Sequence, residues 1–212
     1  MRLPDDTAGE DLVCREYSRI AGDYDRRWSR YVDRCTRATL ARFTISEAAR
    51  VVDIGCGTGV LLGHLVETLS AENLVGADLT PAMLNVAQVH LPAATSLQIA
   101  RAEALPLSAS TFDVALSCSV FHYISEPQRA LREMYRVLRP GGQIVITDWC
   151  HDALSCRILD RWLRFTGRSH HRMYRAGQLA AMLENAGLTH ITCDRYQLGW
   201  WGMMTLTACK PE

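Results

Sequence analysis

Val51-Val52-Asp53-Ile54-Gly55-Cys56-Gly57-Thr58-Gly59 joins a short apolar run to a turn with glycine at every second position. Such a run reads as a buried strand, and the glycines as a tight turn opening a helix. Missing side chains let the backbone approach a ligand and take dihedrals closed to other residues. Asp78 stands nineteen residues after Gly59, at the end of a second apolar run, Leu74 to Ala77. A carboxylate there can accept from two ribose hydroxyls, at the strand ends where doubly wound folds bind nucleosides. A dinucleotide site would space its glycines G-x-G-x-x-G, leaving helix N–H groups to hold a pyrophosphate. Here the spacing is G-x-G-x-G behind Asp53. An acid at the mouth opposes a pyrophosphate and suits an ammonium, which disfavours a dehydrogenase.

Around this turn, strands and helices alternate. Asp11 to Arg42 has a helical pattern with Tyr17, Tyr24, Trp28 and Tyr31 among charges. Val60 to Leu69 reads as the helix after the glycines. Thr80-Pro81 supplies an N-cap oxygen and a first-turn proline for a helix through Met83 and Ala87. Leu97 to Ala100 and Phe112 to Leu116 read as the third and fourth strands. Pro127 opens a helix with Ala130, Leu131, Met134, Tyr135 and Leu138 on one face, stopped by Pro140-Gly141-Gly142. Gln143 to Thr147 is the fifth strand. A helix over Ala176 to Ala186 ends at Gly187. Thr189 to Gln197 and Met203 to Cys209 then flank a connection too short for anything but an antiparallel pair. Alternating buried strands and helices call for a mostly parallel sheet covered on both faces. The fold class is therefore α/β: a doubly wound, seven-stranded sheet, mostly parallel, with a C-terminal antiparallel hairpin.

The totals narrow the function. The 212 residues, 48% apolar and 22% charged, suit one domain with a full core. It divides into a helical cap over 11–45, the alternating body, and an inserted segment over 149–174. Formal net charge is zero, without a basic block, so no nucleic acid partner is expected. Lys210 is the only lysine, and the arginine excess carries no functional weight. No signal-peptide pattern or membrane-length apolar run is present. Eight cysteines scattered through a chain with a full core suit a reduced, cytoplasmic setting.

At this point the chain resembles the class I S-adenosylmethionine-dependent methyltransferases, and within them the ubiquinone and menaquinone biosynthesis branch. The resemblance runs from about Tyr17 to Lys210. It rests on Tyr17-Ser18-Arg19-Ile20-Ala21-Gly22-Asp23-Tyr24-Asp25, the glycine turn, and Gly76-Ala77-Asp78-Leu79-Thr80-Pro81-Ala82-Met83-Leu84. Ala102-Glu103-Ala104-Leu105-Pro106, Phe112-Asp113-Val114 and Leu138-Arg139-Pro140-Gly141-Gly142 complete it. The resemblance implies a Rossmann-like fold, S-adenosylmethionine as cofactor, and a small-molecule acceptor. It implies that Gly55, Cys56, Gly57 and Gly59 form the methionine turn, and that Asp53 orients the ammonium. Asp78 would hold the ribose and Leu79 the adenine face. Ala102 and Glu103 would flank the base, Ser117 would offer a carbonyl, and Tyr17 and Tyr24 would close over the cofactor. Where relatives often carry an acid before the Ala-Glu-Ala-Leu-Pro stretch, this chain has Arg101, leaving the backbone at Ala102 to recognise the base.

A sulfonium methyl is already activated, so alignment can supply much of the acceleration, up to about 7–11 kcal/mol. A base is needed only where the acceptor carries a proton. Candidates must lie at the carboxyl edge of the sheet. His122 follows the fourth strand and Asp148 ends the fifth. Imidazole titrates near neutrality, so His122 reads either as the base or as a loop-shaping residue. Tyr123, Trp149, His151 and Trp162 are the candidates to meet the acceptor, with His170-His171 behind them. Ile158, Leu159, Trp162, Leu163 and Phe165 lie near one side of a helix, either a lid with an apolar underside or a packed helix. An apolar or aromatic acceptor suits such walls. A thiol or metalloid methyltransferase using Cys118, Cys150 and Cys156 is the rival enzyme, and a non-catalytic nucleoside-binding protein the rival class. No resident metal is expected, and oligomeric state is not legible.

Overall fold

The computed structural model describes residues 7–165 and 172–212, with side chains over 12–163 and 172–212. The His170-His171 pair lies outside the described residues. A 34-residue helix α1 (Thr7–Leu40) leads into β1 (Val51–Ile54), α2 (Val60–Leu65), β2 (Leu74–Asp78) and α3 (Pro81–His90). Then come β3 (Ser96–Ile99), β4 (Phe112–Cys118), α4 (Pro127–Val137) and β5 (Leu138–Trp149). Helices α5 (Leu154–Phe165) and α6 (Ala176–Asn185) precede β6 (Thr189–Leu198) and β7 (Trp201–Cys209).

The seven strands form one sheet in the order β3-β2-β1-β4-β5-β7-β6. β1 to β5 pair parallel, and β7 joins β5 and β6 antiparallel. This is the seven-stranded doubly wound sheet that the sequence predicts, with its hairpin at the C-terminal end. Strand periodicity explains the two cores. Val52 and Ile54 pack with Leu131 and Met134 of α4 and Leu179 and Leu183 of α6. Val51, one residue away, packs with Leu61 and Leu62 of α2 and Ala87 of α3. The order reverses at β1, with β2 on one side and β4 on the other, so the crevice opens where Asp53 and the glycines stand.

Of the boundaries that differ from the sequence reading, three have a stated structural consequence. Leu138, placed on the α4 face from its spacing, instead begins β5, because Arg139 precedes a proline and leaves the helical region. The register then slips between Phe112↔Leu138 and Val114↔Gln143, with Gly141 at φ 75° inside the irregularity. The regular part of α2 stops at Leu65, and turns carry Leu69 into the core. β4 runs two residues further, to Cys118, delivering Ser119 to the crevice.

Candidate functional site

The glycine turn is held to the neighbouring strand by its backbone. Gly55 and Cys56 N–H both donate to the Ala77 carbonyl, at 2.7 and 3.1 Å. Gly57 adopts φ 55°, and a Cβ built on it would meet nothing within 4 Å. Gly57 also lines the cavity, so a side chain there would stand in open space at its wall. Gly59 serves packing instead: its Cβ would stand 2.8 Å from Leu91 Cδ1 of the residue capping α3, and it does not line the cavity.

The cavity here has a volume of ≈ 160 Å³. From the residues expected to hold cofactor it collects Asp53, Gly55, Cys56, Gly57, Asp78, Leu79 and Ala102, with Tyr17 and Tyr24 contributed by α1. Asp53 is only 2% exposed, and its Oδ1 has no hydrogen-bond partner among the described residues. Burial, then the nearby Asp78, pushes its carboxyl up to about 7. A buried carboxylate oxygen left over on a cavity floor fits a cationic group, since an ammonium would supply the missing charge and donors. Asp78 Oδ2 accepts from Gly57 N–H at 2.9 Å and Oδ1 from Thr80 N–H at 2.8 Å. Burial raises its pKa, and those two N–H groups oppose the rise. Each oxygen still has a lone pair for a hydroxyl. The residues present therefore fit an amino-acid nucleoside.

Besides Gly59, two members of the expected set stand elsewhere. Glu103 turns its carboxylate onto the loop before α4, accepting from Ser125 Oγ and Glu126 N–H, both at 3.3 Å. Ser117 is fully buried and lies behind the wall that Cys118 and Ser119 present. Tyr31, Met83, Ser119 and Val120 also line the cavity. Tyr31 is visible as an aromatic of α1 and Met83 lies inside a matched segment, but no motif marks Ser119 or Val120.

A second cavity, ≈ 200 Å³, adjoins the first. α1 supplies Glu16, Tyr17, Ile20, Tyr24, Trp28 and Tyr31, and α5 supplies Leu159, Trp162 and Leu163. Ser119, His122, Tyr123, Trp149 and Trp201 close it. Tyr17, Tyr24, Tyr31, Ser119 and Tyr123 line both cavities. Tyr17 Oη donates to Tyr123 Oη at 2.8 Å, and the Tyr31 and Ser119 hydroxyls meet at 3.0 Å. One wall is a continuous stack. The His122 and Trp149 rings lie 4.4 Å apart at 24°, and Trp149 and Trp201 lie 5.4 Å apart at 14°.

His122 and Asp148, proposed separately from two strand ends, meet directly. His122 Nδ1 is 2.7 Å from Asp148 Oδ1, and His122 N–H donates to Oδ2 at 2.9 Å. Both are 2% exposed. A carboxylate so placed favours a proton on Nδ1 and turns Nε2 away from itself. Asp148 lines neither cavity; it holds the His122 ring together with the His122 and Trp149 backbone N–H groups. Of the acceptor candidates, Tyr123, Trp149 and Trp162 come together around the second cavity. His151 does not: its Nε2 faces Asp160 Oδ2 at 3.5 Å.

The cysteines do not converge either. Cys118 lines the first cavity, whereas Cys150 faces Asp152 and Cys156 donates to the Gly202 carbonyl at 3.1 Å. Burial raises all three thiols, disfavouring thiolate. Among the described residues no His/Cys/Asp/Glu group could hold a metal.

Residues 52–146 match the family described as a methyltransferase domain. The ubiquinone biosynthesis O-methyltransferase of Ruegeria pomeroyi is 32% identical over 84% of this chain and 69% of its own length. The malonyl-[acyl-carrier protein] O-methyltransferase of Serratia marcescens is 31% identical over 80% of this chain, which spans only 65% of that relative. Among solved structures, a SAM-dependent methyltransferase from Thermotoga maritima superposes with TM-score 0.77 over 93% of this chain and 99% of that one, at 19% identity.

Proposed function

The chain belongs to the class I S-adenosylmethionine-dependent methyltransferases, and from that premise we propose that it methylates a flat, apolar or aromatic small molecule bound in the second cavity. The observation that carries this reading is the shared wall: five residues line both cavities, so a group in one lies next to a group in the other. Bound S-adenosylmethionine supplies a methyl group on a positively charged sulfur. The chain's residues then have to bind, orient, exclude water and take a proton.

Asp53 receives the ammonium, Gly55, Cys56 and Gly57 pass beneath the methionine portion, and Asp78 accepts from the ribose. Leu79 packs on the base, whose edge meets the backbone at Ala102. The stacked rings of His122, Trp149 and Trp201 offer a flat face to a conjugated acceptor. His122, aligned by Asp148, accepts the acceptor's proton as the methyl group is displaced in line. α1 forms a cap over both cavities, with the Tyr17–Tyr123 hydrogen bond as its fastening. α5 forms the described part of a lid over the second cavity.

The test is turnover of isotopically labelled S-adenosylmethionine against a metabolite extract, followed by mass shifts of one methyl group. Labelled aromatic or conjugated products are expected. Labelled products confined to small polar aliphatics would overturn the acceptor class, and absence of any labelled product the catalytic reading.

A further inference from the structure

Exposed apolar side chains are concentrated on the elements that line the second cavity and on the turn beside them. Among the described residues, eight large hydrophobic side chains are exposed, and Trp28, Leu154, Ile158, Trp162 and Trp200 are five of them. Trp28 and Trp162 sit on α1 and α5, and both line the cavity. Leu154, Ile158 and Trp162 recur every fourth residue, so they form one stripe along α5. They are 68%, 62% and 51% exposed. Trp200, 76% exposed, tips the β6–β7 hairpin beside Trp201, which lines the same cavity. Three elements that contribute to one cavity thus each present an exposed tryptophan.

Glu16 of α1 lines the cavity itself, but the exposed charge described on α5 has one sign. Arg157 and Arg161 are exposed beside the α5 stripe. The acid of α5, Asp160, is 5% exposed and turned inward, accepting from Met173 N–H at 3.3 Å. At the hairpin, Arg34 of α1 lies 3.8 Å from where a Cβ on Gly199 would stand. The net charge of the chain is zero, so this arrangement is local and not a consequence of a basic protein. Apolar side chains flanked by arginine, with tryptophans at the margin, are what an interfacial helix brings to the headgroup layer of an anionic bilayer. Among the described residues no helix is long and apolar enough to cross a membrane, which leaves contact with its surface.

We propose that the outer face of α5 and the β6–β7 hairpin tip dock this protein on an anionic lipid surface, with the second cavity opening toward the bilayer. An acidic protein would meet the arginines but would leave a four-residue apolar period and an exposed hairpin tryptophan unexplained, so lipid is the better-matched occupant. That an apolar acceptor enters directly from the bilayer rests on the function proposed above; the docking itself does not.

The experiment is co-sedimentation of the full chain with phosphatidylglycerol–phosphatidylcholine vesicles and with pure phosphatidylcholine vesicles, without cofactor or acceptor. Partition onto the anionic vesicles is expected to be roughly tenfold stronger or more, and to fall with added salt. Ile158→Glu with Trp200→Ser, two exposed positions outside the cavity lining, should reduce that partition by about tenfold or more while leaving the thermal melt in place. Arg157→Glu with Arg161→Glu should remove the preference for anionic lipid. No partition onto anionic vesicles at low salt overturns the proposal, as does partition that both double variants retain. Capture of a purified acidic carrier protein, lost in the same variants and without vesicle partition, replaces lipid with a protein partner. Because acceptor turnover is never measured, failure here leaves the proposed methyl transfer standing, and failure of that transfer leaves the docking measurable.

Discussion

The two cavities are built by opposite strategies. The first draws most of its lining from the ends of β1, β2 and β4 and the turns that follow them, anchored by backbone hydrogen bonds such as Gly55 and Cys56 to Ala77. The second draws on α1, the loop after β4, the end of β5, α5 and the start of β7, joined through side-chain rings and hydroxyls. A backbone cradle tolerates few replacements, because its shape is set by dihedrals and the absence of side chains. A wall of rings from separate elements can be recut one residue at a time. This is the expected division between a constant cofactor and an acceptor that differs among relatives.

The sharpest way to break that comparison is a residue belonging to the second cavity alone. His122→Ala should lower kcat by ~10²–10⁴-fold, the usual range for a lost general base. Cofactor affinity, measured by calorimetry, should stay within a few-fold. Asp148→Asn should lower kcat as well and leave acceptor KM little changed, because it acts through the imidazole. If both variants keep full turnover, His122 only shapes the loop. Gly57→Val is the reciprocal probe. It places a branched side chain in a left-handed conformation and fills the cradle, so cofactor affinity should fall on the order of a hundredfold, about 2.7 kcal/mol. An unchanged calorimetric affinity would remove the glycine turn from the site.

What the sequence displays follows the same division. Asp53, Gly57 and Asp78 are legible because each lies at or just past the end of a strand whose apolar run announces where it ends. The sheet was legible for the same reason, down to the antiparallel hairpin forced by a short connection. Leu138 was misplaced because it satisfies the helix spacing and also begins a strand; only the proline after Arg139 distinguishes them. Glu103 sits inside a motif, yet its side chain serves the α4 loop, since a motif fixes position and not rotamer. The meeting of His122 with Asp148 spans 26 residues and depends on β4 and β5 being adjacent. No local pattern contains that adjacency.

Electrostatics should distinguish the cavities by pH. Asp53 is raised from 3.8 to about 7 by burial and by Asp78, whereas a bound ammonium favours its ionised form. Cofactor affinity should therefore increase as pH rises toward 7, by at most about tenfold per unit for one proton released, then level off. Stability of the free protein should move the other way. A carboxyl whose folded pKa is raised contributes stability below its unfolded value, lost as pH rises through about 7. Asp53→Asn should flatten both trends. Proton release in calorimetry checks the first and melting temperature across pH the second; pH-independent cofactor binding would exclude Asp53 as the ammonium's partner.

Trp162→Ala sharpens the comparison from the acceptor side. Trp162 is half exposed yet lines the second cavity, so truncation removes a movable wall and not a core contact. Acceptor KM should rise by roughly tenfold, the scale of about 1–2 kcal/mol of lost apolar contact. Cofactor affinity should not move. Equal losses for both ligands would mean that α5 supports the whole crevice as packed core and does not act as a lid.

The smallest effect belongs to Arg101, the residue at which the first cavity departs from the pattern of its relatives. Arg101 is part of the cavity lining, but a guanidinium carries only donors and cannot accept from the amine of adenine. The backbone next to it is already fixed: Arg101 pairs with Ala104 as an isolated bridge, and Ala100 N–H donates to the Asp78 carbonyl at 3.0 Å. That path ties the base-facing segment to the strand that carries the ribose acid, independently of what side chain stands at 101. Recognition of the base then rests on the Ala102 backbone, and Arg101→Ala should leave cofactor affinity within a few-fold. A loss beyond about a hundredfold, some 2.7 kcal/mol, would show that the guanidinium contacts the cofactor or holds the loop. Arg101→Asp separates those two outcomes. An acid restores an acceptor for the amine, so binding of S-adenosylhomocysteine should tighten if the amine lies within its reach and weaken if Arg101 is needed to hold the loop.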